Sequence, residues 1–192
     1  MNVTIQVMGL KQAQRQLEGI GKKVDPVLRG ALNTTATKSR AERYVKPLAK
    51  SIKPQRVRAA LKIKRARRGR MDSRIIPSSS GVLVVNYRSW GYDVIDATRA
   101  RIWVRGPAGR KVAAGFVNPA SSGKLPLSTR SSKTTGKGKT YAYKRALQLA
   151  RGPSTAFWFK QLTNSQTMAW ISDYLQKEFA ARLDKEIKKG AR

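Results

Sequence analysis

The sequence predicts an α+β fold, with helices towards both ends of the chain and an antiparallel sheet between them. Apolar residues recur at helical spacing over residues 25–67 and again over 154–188, whereas residues 81–150 hold short apolar runs separated by turn residues. A length of 192 residues and a hydrophobic fraction of 40% suffice for one domain with its own core. We therefore expect a single domain, 1–192, made of three regions: a basic helical region at 25–70, a β region at 81–150 and a C-terminal helical region at 154–190.

The first elements are a short strand and a short helix. Residues Met1–Met8 alternate apolar and polar side chains, which predicts a strand. Gly9 then opens a helix that runs to about Glu18, and glycines at 19 and 21 end it.

A long helix is predicted next. Asp25 is a good N-cap residue, and Pro26 suits the first helical position. Pro47 should kink or interrupt this helix, and Pro54 should break it. A further helix, rich in arginine and lysine, is predicted over Gln55–Arg67.

The period of the apolar residues changes in the middle of the chain. Gly81–Tyr87 is a continuous apolar run that predicts a buried strand, and Arg101–Arg105 alternates before a Gly-Pro-Ala-Gly turn. Residues Lys111–Val117 are expected to pair back as a hairpin. A flexible basic loop is expected over 118–139, and Tyr141–Ala150 favours a strand over a helix.

Gly152-Pro153-Ser154 separates the sheet from a helical region that runs to about Lys188, with an interruption near Asn164. Three adjacent aromatic residues at its start cannot all face one core across a helix. At least one of them should meet another element or another subunit, so core packing and an oligomer contact are the two alternatives. The residues that we assign to an oligomer interface are Phe157, Trp158, Phe159, Ile171 and Leu175.

The charge of the chain is extreme and unevenly distributed. Forty-one Lys and Arg residues against ten Asp and Glu give a net charge of +31. Residues 38–70 carry fourteen basic side chains against the single Glu42, and residues 97–172 carry fourteen with no acid. A small soluble domain usually carries about 2–8 net charges, so self-repulsion would be severe without a polyanionic partner or acidic neighbours.

The basic segment that begins at Lys53 is the strongest of these signals. Residues 54–70 contain no aromatic side chain, and the chain has no helix-turn-helix, zinc-finger or RNA-recognition signature. Any nucleic-acid contact should therefore be to backbone phosphates, without sequence readout. Acidic protein neighbours are the alternative. The residues predicted to contact DNA or an acidic partner are Lys53, Arg56, Arg58, Lys62, Lys64, Arg65, Arg67, Arg68, Arg70, Lys133, Lys137 and Lys139.

Several classes of chemistry are excluded or disfavoured. The chain contains no Cys and no His, which removes disulfides, thiolate metal sites and the usual general base. Asp93 and Asp96 are more easily explained by pairing with Arg88, Arg99 or Arg101 than by catalysis. Gly138-Lys139-Thr140 matches the end of a phosphate-binding loop, but Lys133 stands where that pattern needs glycine. We expect no enzyme, no catalytic residue, no cofactor and no metal; nor do we expect a signal peptide or a membrane contact.

The order of these elements is similar to that of one protein family. A short strand and helix containing Gly9-Leu10 precede Ala31-Leu32-Asn33 and a helix rich in Thr and Ala. The basic segment 57–68, a mid-chain Gly115-Phe116-Val117 and the Gly152-Pro153-Ser154 that introduces a long C-terminal helix follow. In this order, length and basicity the chain resembles the minor tail protein Z family of tailed bacteriophages.

The resemblance implies a structural role in the virion, after assembly in the host cytoplasm. Such proteins complete the head-proximal end of the tail so that a filled head can join. The implied partners are further copies of the chain in a ring, taken as a hexamer, other neck and tail proteins, and DNA in the channel. The alternative is a sequence-independent nucleic-acid-binding protein that acts through phosphate contacts.

Overall fold

The structure is a computed structural model that describes residues 7–19, 21, 23–133 and 141–190, with the backbone alone for 130–133 and 141–146. It confirms the α+β class. Most of the strand predicted at Met1–Met8 lies outside the described residues. The helical elements are α1 (Leu10–Glu18), α2 (Val24–Ser39), a π-helical segment (Arg40–Val45), α3 (Lys46–Ala49), α4 (Pro54–Ala60), a 3₁₀ segment (Val84–Asn86), α5 (Thr155–Leu162) and α6 (Ser165–Gly190). The strands are β1 (Leu61–Lys64), β2 (Arg74–Pro77), β3 (Gly81–Leu83), β4 (Trp90–Val94), β5 (Ala100–Gly106), β6 (Gly109–Val117), β7 (Leu127–Lys133), β8 (Tyr141–Leu149) and β9 (Arg151–Ser154).

The chain forms two compact units where the sequence suggested one domain. The helical unit comprises residues 1–46, 58–77 and 159–192, and the sheet unit comprises 47–57 and 78–158. No helix in the described part of the chain is long and apolar enough to cross a membrane.

The core of the helical unit lies among α1, α2 and α6. Its buried members are Ala13, Leu17, Val27, Ala31, Leu175 and Phe179. Gly30 lets α6 approach α2 closely, since a Cβ atom there would lie 2.5 Å from a guanidinium nitrogen of Arg182. Arg182 in turn donates hydrogen bonds to Glu178 and to the Thr34 hydroxyl, which ties the two helices together.

The long N-terminal helix is confirmed, but it starts at a different residue and contains a π-helical segment. It begins at Val24 after Lys23, so Asp25 lies in the first turn and its side chain caps nothing. The π-helical segment Arg40–Val45 ends two residues before Pro47. Proline lacks an amide hydrogen and its ring displaces the preceding turn, which is a physical reason for the wider turn there.

The helix predicted over Gln55–Arg67 is wrong beyond Ala60. Helix α4 ends at that residue, and Leu61-Lys62-Ile63-Lys64 forms strand β1 instead. Strand β1 pairs antiparallel with β2, with Leu61 opposite Pro77 and Lys64 opposite Arg74. The alternation over these four residues satisfies a strand as well as a helix, and the pairing partner decides between them.

The sheet unit is antiparallel, in the order β3-β9-β6-β5-β4, and β7 pairs with both β6 and β8. Its core includes Ile102, Val104 and Val117. Trp158 is fully buried here, and its indole nitrogen donates to the Tyr87 hydroxyl, 2.9 Å away. The indole lies so close to Gly106 that a Cβ atom there would be 2.3 Å from the ring.

Three predictions in the sheet region need correction. The strand that starts at Gly81 ends at Leu83, and a 3₁₀ segment follows. The loop expected over 118–139 contains strand β7, because residues Leu127–Lys133 pair with β8. Gly152-Pro153-Ser154 lies within β9 rather than between elements. The hairpin of β5 and β6 and the strand at Tyr141–Leu149 are confirmed.

The predicted interruption of the C-terminal helical region is confirmed. Helix α5 ends at Leu162 and α6 begins at Ser165. The Asn164 side chain accepts a hydrogen bond from the Thr167 amide at 2.8 Å, so Asn164 caps the start of α6.

Candidate nucleic-acid interface

The structure places the densest of the predicted basic contacts on a β-hairpin of the helical unit. We call residues 58–77, which hold β1, β2 and the connection between them, the basic hairpin. It carries eight basic residues and one acid, Asp72. All seven of its predicted contact residues are exposed: Arg58, Lys62, Lys64, Arg65, Arg67, Arg68 and Arg70. Lys53 and Arg56 are exposed too, but they belong to the sheet unit.

Strand geometry separates the apolar and basic side chains of β1. Successive side chains of a strand point to opposite faces. Leu61 is fully buried and Ile63 is half-buried, whereas Lys62 and Lys64 are exposed. Lys64 lies opposite Arg74 in the pairing, so β2 adds a further cation beside the lysines.

The connection between the strands presents three more arginines. Arg65, Arg67 and Arg68 are exposed. The backbones of Arg67 and Arg70 exchange two hydrogen bonds, of 2.9 and 3.0 Å, which close a tight turn. Gly69 has φ +75° in this turn, a conformation that glycine adopts without steric cost.

Two side chains of the helical unit hold the hairpin in place. Asn33 accepts a hydrogen bond from the Ala66 amide at 2.8 Å and donates to the Ala66 carbonyl at 3.2 Å. The Arg40 guanidinium donates to the carbonyls of Arg58 and Leu61, at 2.7 Å each. The backbone that carries the cations is therefore fixed at both ends of β1.

Asp72 neutralises part of the hairpin charge. Its carboxylate pairs with Arg70 at 2.7 Å and with Arg74 at 2.5 Å. The hydrogen bond from Arg70 is the largest cause that lowers the pKa of Asp72, and Arg74 adds to it. The ion pairs of the described residues leave six hairpin cations without an acidic partner: Arg58, Lys62, Lys64, Arg65, Arg67 and Arg68.

This arrangement suits a polyanion better than a base edge. Each unpaired cation can neutralise a phosphate and release a condensed counterion. Residues 53–77 contain no aromatic side chain, so stacking on bases is absent from this segment. Of the other predicted contacts, Lys133 ends β7 and pairs through its backbone with Tyr141, whereas Lys137 and Lys139 lie outside the described residues.

The predicted oligomer interface is only partly accessible. Trp158 and Leu175 are buried in the cores of their own units, so this conformation presents neither side chain for an oligomer contact, and their assignment stays a prediction that the burial does not support. Phe159 stacks on Tyr44 with ring centroids 4.1 Å apart. Ile171 lines a groove of the helical unit, and Phe157 keeps about a third of its surface exposed.

The carboxylates singled out as alternatives for catalysis form ion pairs. Asp96 pairs with Arg99 at 2.7 Å as expected, whereas Asp93 pairs with Arg110. The backbone amide of Thr98 is the largest cause that lowers the pKa of Asp96, to about 2. Among the described residues, no group of three or more carboxylates could hold a metal ion.

Sequence reasoning missed the residues that organise the hairpin. Arg74 and Asp72 lie beyond Arg67, where the predicted basic helix ended. Asn33 and Arg40 act on backbone 33 and 18 to 21 positions away, and no local pattern signals such contacts. No protein-family model, curated protein or solved structure matches this chain.

Proposed function

We propose that this chain is a structural protein of the bacteriophage neck or tail. It completes the head-proximal end of the tail and enables head–tail joining, as a hexameric ring around the DNA channel. The basic hairpin faces the phosphates of the DNA that passes through the ring. The virion context comes from the resemblance to the minor tail protein Z family.

The observation that carries the DNA contact is the set of six unpaired cations on one short hairpin. Their backbone is held by Asn33 and Arg40, so they are presented without the cost of ordering a mobile arm. A charge of this density needs a polyanion or acidic neighbours.

The test of the assembly role is deletion of the gene from the phage that carries it, followed by electron microscopy of the lysate. Filled heads beside separate, full-length tails are the expected result, and the wild-type gene supplied in trans should restore joined particles. Normal infectious particles after deletion would rule the role out.

The test of the hairpin is complementation with Lys62→Glu/Lys64→Glu/Arg67→Glu. We expect rings that assemble but particles that fail to retain DNA. The matched control, Lys177→Glu/Lys185→Glu/Lys188→Glu, makes the same charge change on exposed positions of α6 and should complement. Normal DNA retention by the hairpin variant would remove the hairpin from the DNA path.

A second candidate function rests on the same six cations: sequence-independent binding of duplex by the free chain. The two functions differ in when affinity appears. Free nucleic-acid binding predicts tight, steeply salt-dependent binding by the purified chain, whereas the neck function predicts weak binding that strengthens on assembly.

A further inference from the structure

A groove of about 610 Å³ lies within the helical unit, between strand β2 and the helices α2 and α6. Helix α2 contributes Leu32 and Ala36 to its floor, and α6 contributes Ile171 and Leu175. Apolar surface of this extent in a folded protein is ordinarily covered by a ligand or by another segment of protein. The groove is therefore a place where a further segment can pack.

The wall of the groove that β2 forms is a free strand edge. In the described residues β2 pairs with β1 alone, and residues 71–77 line the groove whereas no described residue of β1 does. The groove therefore lies along the edge of β2 that β1 leaves open. Alternate residues of an edge strand turn their N–H and C=O groups outward, so β2 can pair with one more strand. A two-stranded sheet is marginally stable alone, and a third strand would stabilise it.

The charges in the groove balance each other. Asp72 and Arg74 are the charged residues of its described lining, and their side chains pair at 2.5 Å. An acidic or a basic occupant would find no unpaired partner there and would lose hydration on entering. The groove therefore favours an uncharged strand with aliphatic side chains.

The first described residues lie beside one end of this groove. Val7 packs against the core that α1, α2 and α6 form, and the Met8 amide donates a hydrogen bond to the side-chain oxygen of Gln176 at 3.2 Å. Leu32 and Leu175 belong to both places, because they pack in or against that core and also line the groove. The residues that precede Val7 are therefore attached within reach of the groove floor.

Residues 1–6 have the sequence that this place requires. They read Met-Asn-Val-Thr-Ile-Gln, with apolar side chains at 3 and 5, polar ones at 2, 4 and 6, and no charged side chain. This period of two predicts a strand with Val3 and Ile5 on one face, and Val7 continues the series onto the core. At about 3.3 Å per residue the segment can extend about 20 Å, whereas the strand β2 spans about 13 Å. The segment is therefore long enough to run along all of β2.

We infer that residues 2–6 occupy this groove in their own chain and pair with β2 as a third strand, with Val3 and Ile5 against the apolar floor. Attachment at Val7 holds the segment beside the groove at a high effective concentration, which favours it over the same segment of a second copy. The basic hairpin then belongs to a three-stranded sheet. The inference uses only contacts within the helical unit and does not rest on the phage assignment.

The first experiment measures where the segment lies. The chain has no Cys, so a short bis-maleimide linker can join two introduced cysteines selectively in the full-length purified chain. Ile5→Cys is combined with Ile171→Cys in the groove floor and, as the control, with Ala180→Cys on the exposed surface of α6. Ile171 and Ala180 lie five and four residues from Gln176, where Met8 is held, so an undocked segment would reach both.

We expect the cross-link within one chain to form at least about tenfold faster with Ile171→Cys than with Ala180→Cys, because docking raises the effective concentration at one site alone. Equal rates would overturn the inference, since the segment would then be undocked. A cross-link that joins two chains would overturn it as well, since the occupant would then be a second copy.

The second experiment measures strand pairing by amide hydrogen exchange at residues 74–76. Val3→Asp/Ile5→Asp puts two acids on the apolar face of the segment, and the matched control, Asn2→Asp/Thr4→Asp, makes the same number of substitutions to Asp on its polar face. We expect the amides of β2 that face away from β1 to exchange at least about tenfold faster in the first variant and at the wild-type rate in the control.

Amides of β5 and β6 in the sheet unit should keep their wild-type exchange rates in both variants, which separates loss of the third strand from global unfolding. Unchanged exchange at residues 74–76 in Val3→Asp/Ile5→Asp would overturn the third strand. Equal acceleration in both variants would overturn it too, because the apolar face of the segment would then have no special role.

Discussion

The side-chain amide of Asn33 forms with Ala66 both hydrogen bonds that a neighbouring strand would form. Its oxygen accepts from the Ala66 amide and its nitrogen donates to the Ala66 carbonyl. A helix residue thus fixes the start of the arginine-rich connection in the basic hairpin. This amide, together with the backbone hydrogen bonds between Arg67 and Arg70, positions Arg65, Arg67 and Arg68.

Replacing Asn33 should therefore destabilise the chain and loosen the hairpin. Asn33→Ala leaves the partly buried Ala66 amide and carbonyl unpaired, which costs about 1–3 kcal/mol of unfolding free energy. Asn33→Asp keeps an acceptor for the amide but sets a carboxylate oxygen against the Ala66 carbonyl oxygen, so it should not restore the stability that Asn33→Ala loses. Denaturant unfolding measures the stability of both variants. The control is Asn118→Ala, which lies in an exposed turn. Equal stability of Asn33→Ala and wild type would show that the two hydrogen bonds of Asn33 do not hold the hairpin.

Gly106 should tolerate no side chain. A Cβ atom at this position would lie 2.3 Å from the indole of the fully buried Trp158. Gly106→Ala forces the ring to move and strains its hydrogen bond to Tyr87, at a cost of about 1–3 kcal/mol or more. Gly123→Ala is the control, because its nearest neighbour is 3.9 Å away. Thermal unfolding compares the two, and a Gly106→Ala protein with wild-type stability would disprove the close packing.

Stability should fall at alkaline pH because of Tyr87. Burial is the largest cause that raises the pKa of its hydroxyl, to about 12 from the ordinary value of 10. The folded state therefore holds this proton more tightly than the unfolded state. The contribution of this proton to the free energy of unfolding is complete below pH 10 and is lost as the pH rises to about 12. The loss amounts to about 2–3 kcal/mol.

Tyr87→Phe isolates this effect from the other groups that titrate in the same range. The variant should be less stable than wild type at pH 8, because Pro153 and Trp158 lose their hydrogen-bond partner. The difference in unfolding free energy between the two proteins should shrink as the pH rises from 9.5 to 12. A constant difference across that range would show that Tyr87 does not titrate with a raised pKa.

The salt dependence of DNA binding should report the hairpin cations. The logarithm of the binding constant falls with the logarithm of salt concentration by about 0.9 per neutralised phosphate. Lys62→Ala/Lys64→Ala should therefore lower the slope by about 2 units and weaken all duplex sequences alike. Lys185→Ala/Lys188→Ala, on exposed positions of α6, should leave it unchanged. An unchanged slope in the hairpin variant would mean that these lysines do not contact phosphate.

Asp72 should lower the affinity of the hairpin for duplex DNA. Its carboxylate holds Arg70 and Arg74, and Asp72→Asn releases both while removing a negative charge from the surface. Duplex affinity at fixed salt should rise, and the salt slope should steepen by up to about 2 units. Glu186→Gln, which releases Lys189 on α6, is the matched control. Weaker binding by Asp72→Asn would indicate that the pair positions the arginines rather than masking them.

The sequence by itself determined the charge, the α+β class and most of the regular elements, because composition and apolar period need no distant partner. Helix α1, the interruption at Asn164 and the β5–β6 hairpin follow from residues within a few positions of each other. The nine predicted contact residues between Lys53 and Arg70 are all exposed, as a contact role requires.

Only the tertiary structure decided which secondary-structure elements hold the basic residues. The same four residues, Leu61–Lys64, fit either a helix or a strand, and pairing with Arg74–Pro77 made them a strand. The burial of Trp158 and Leu175 was likewise decided by elements distant in the chain. The physical reason is that hydrogen bonds from Asn33 and Arg40, and the groove beside β2, join segments that the sequence separates by tens of residues or more, where local propensity carries no information.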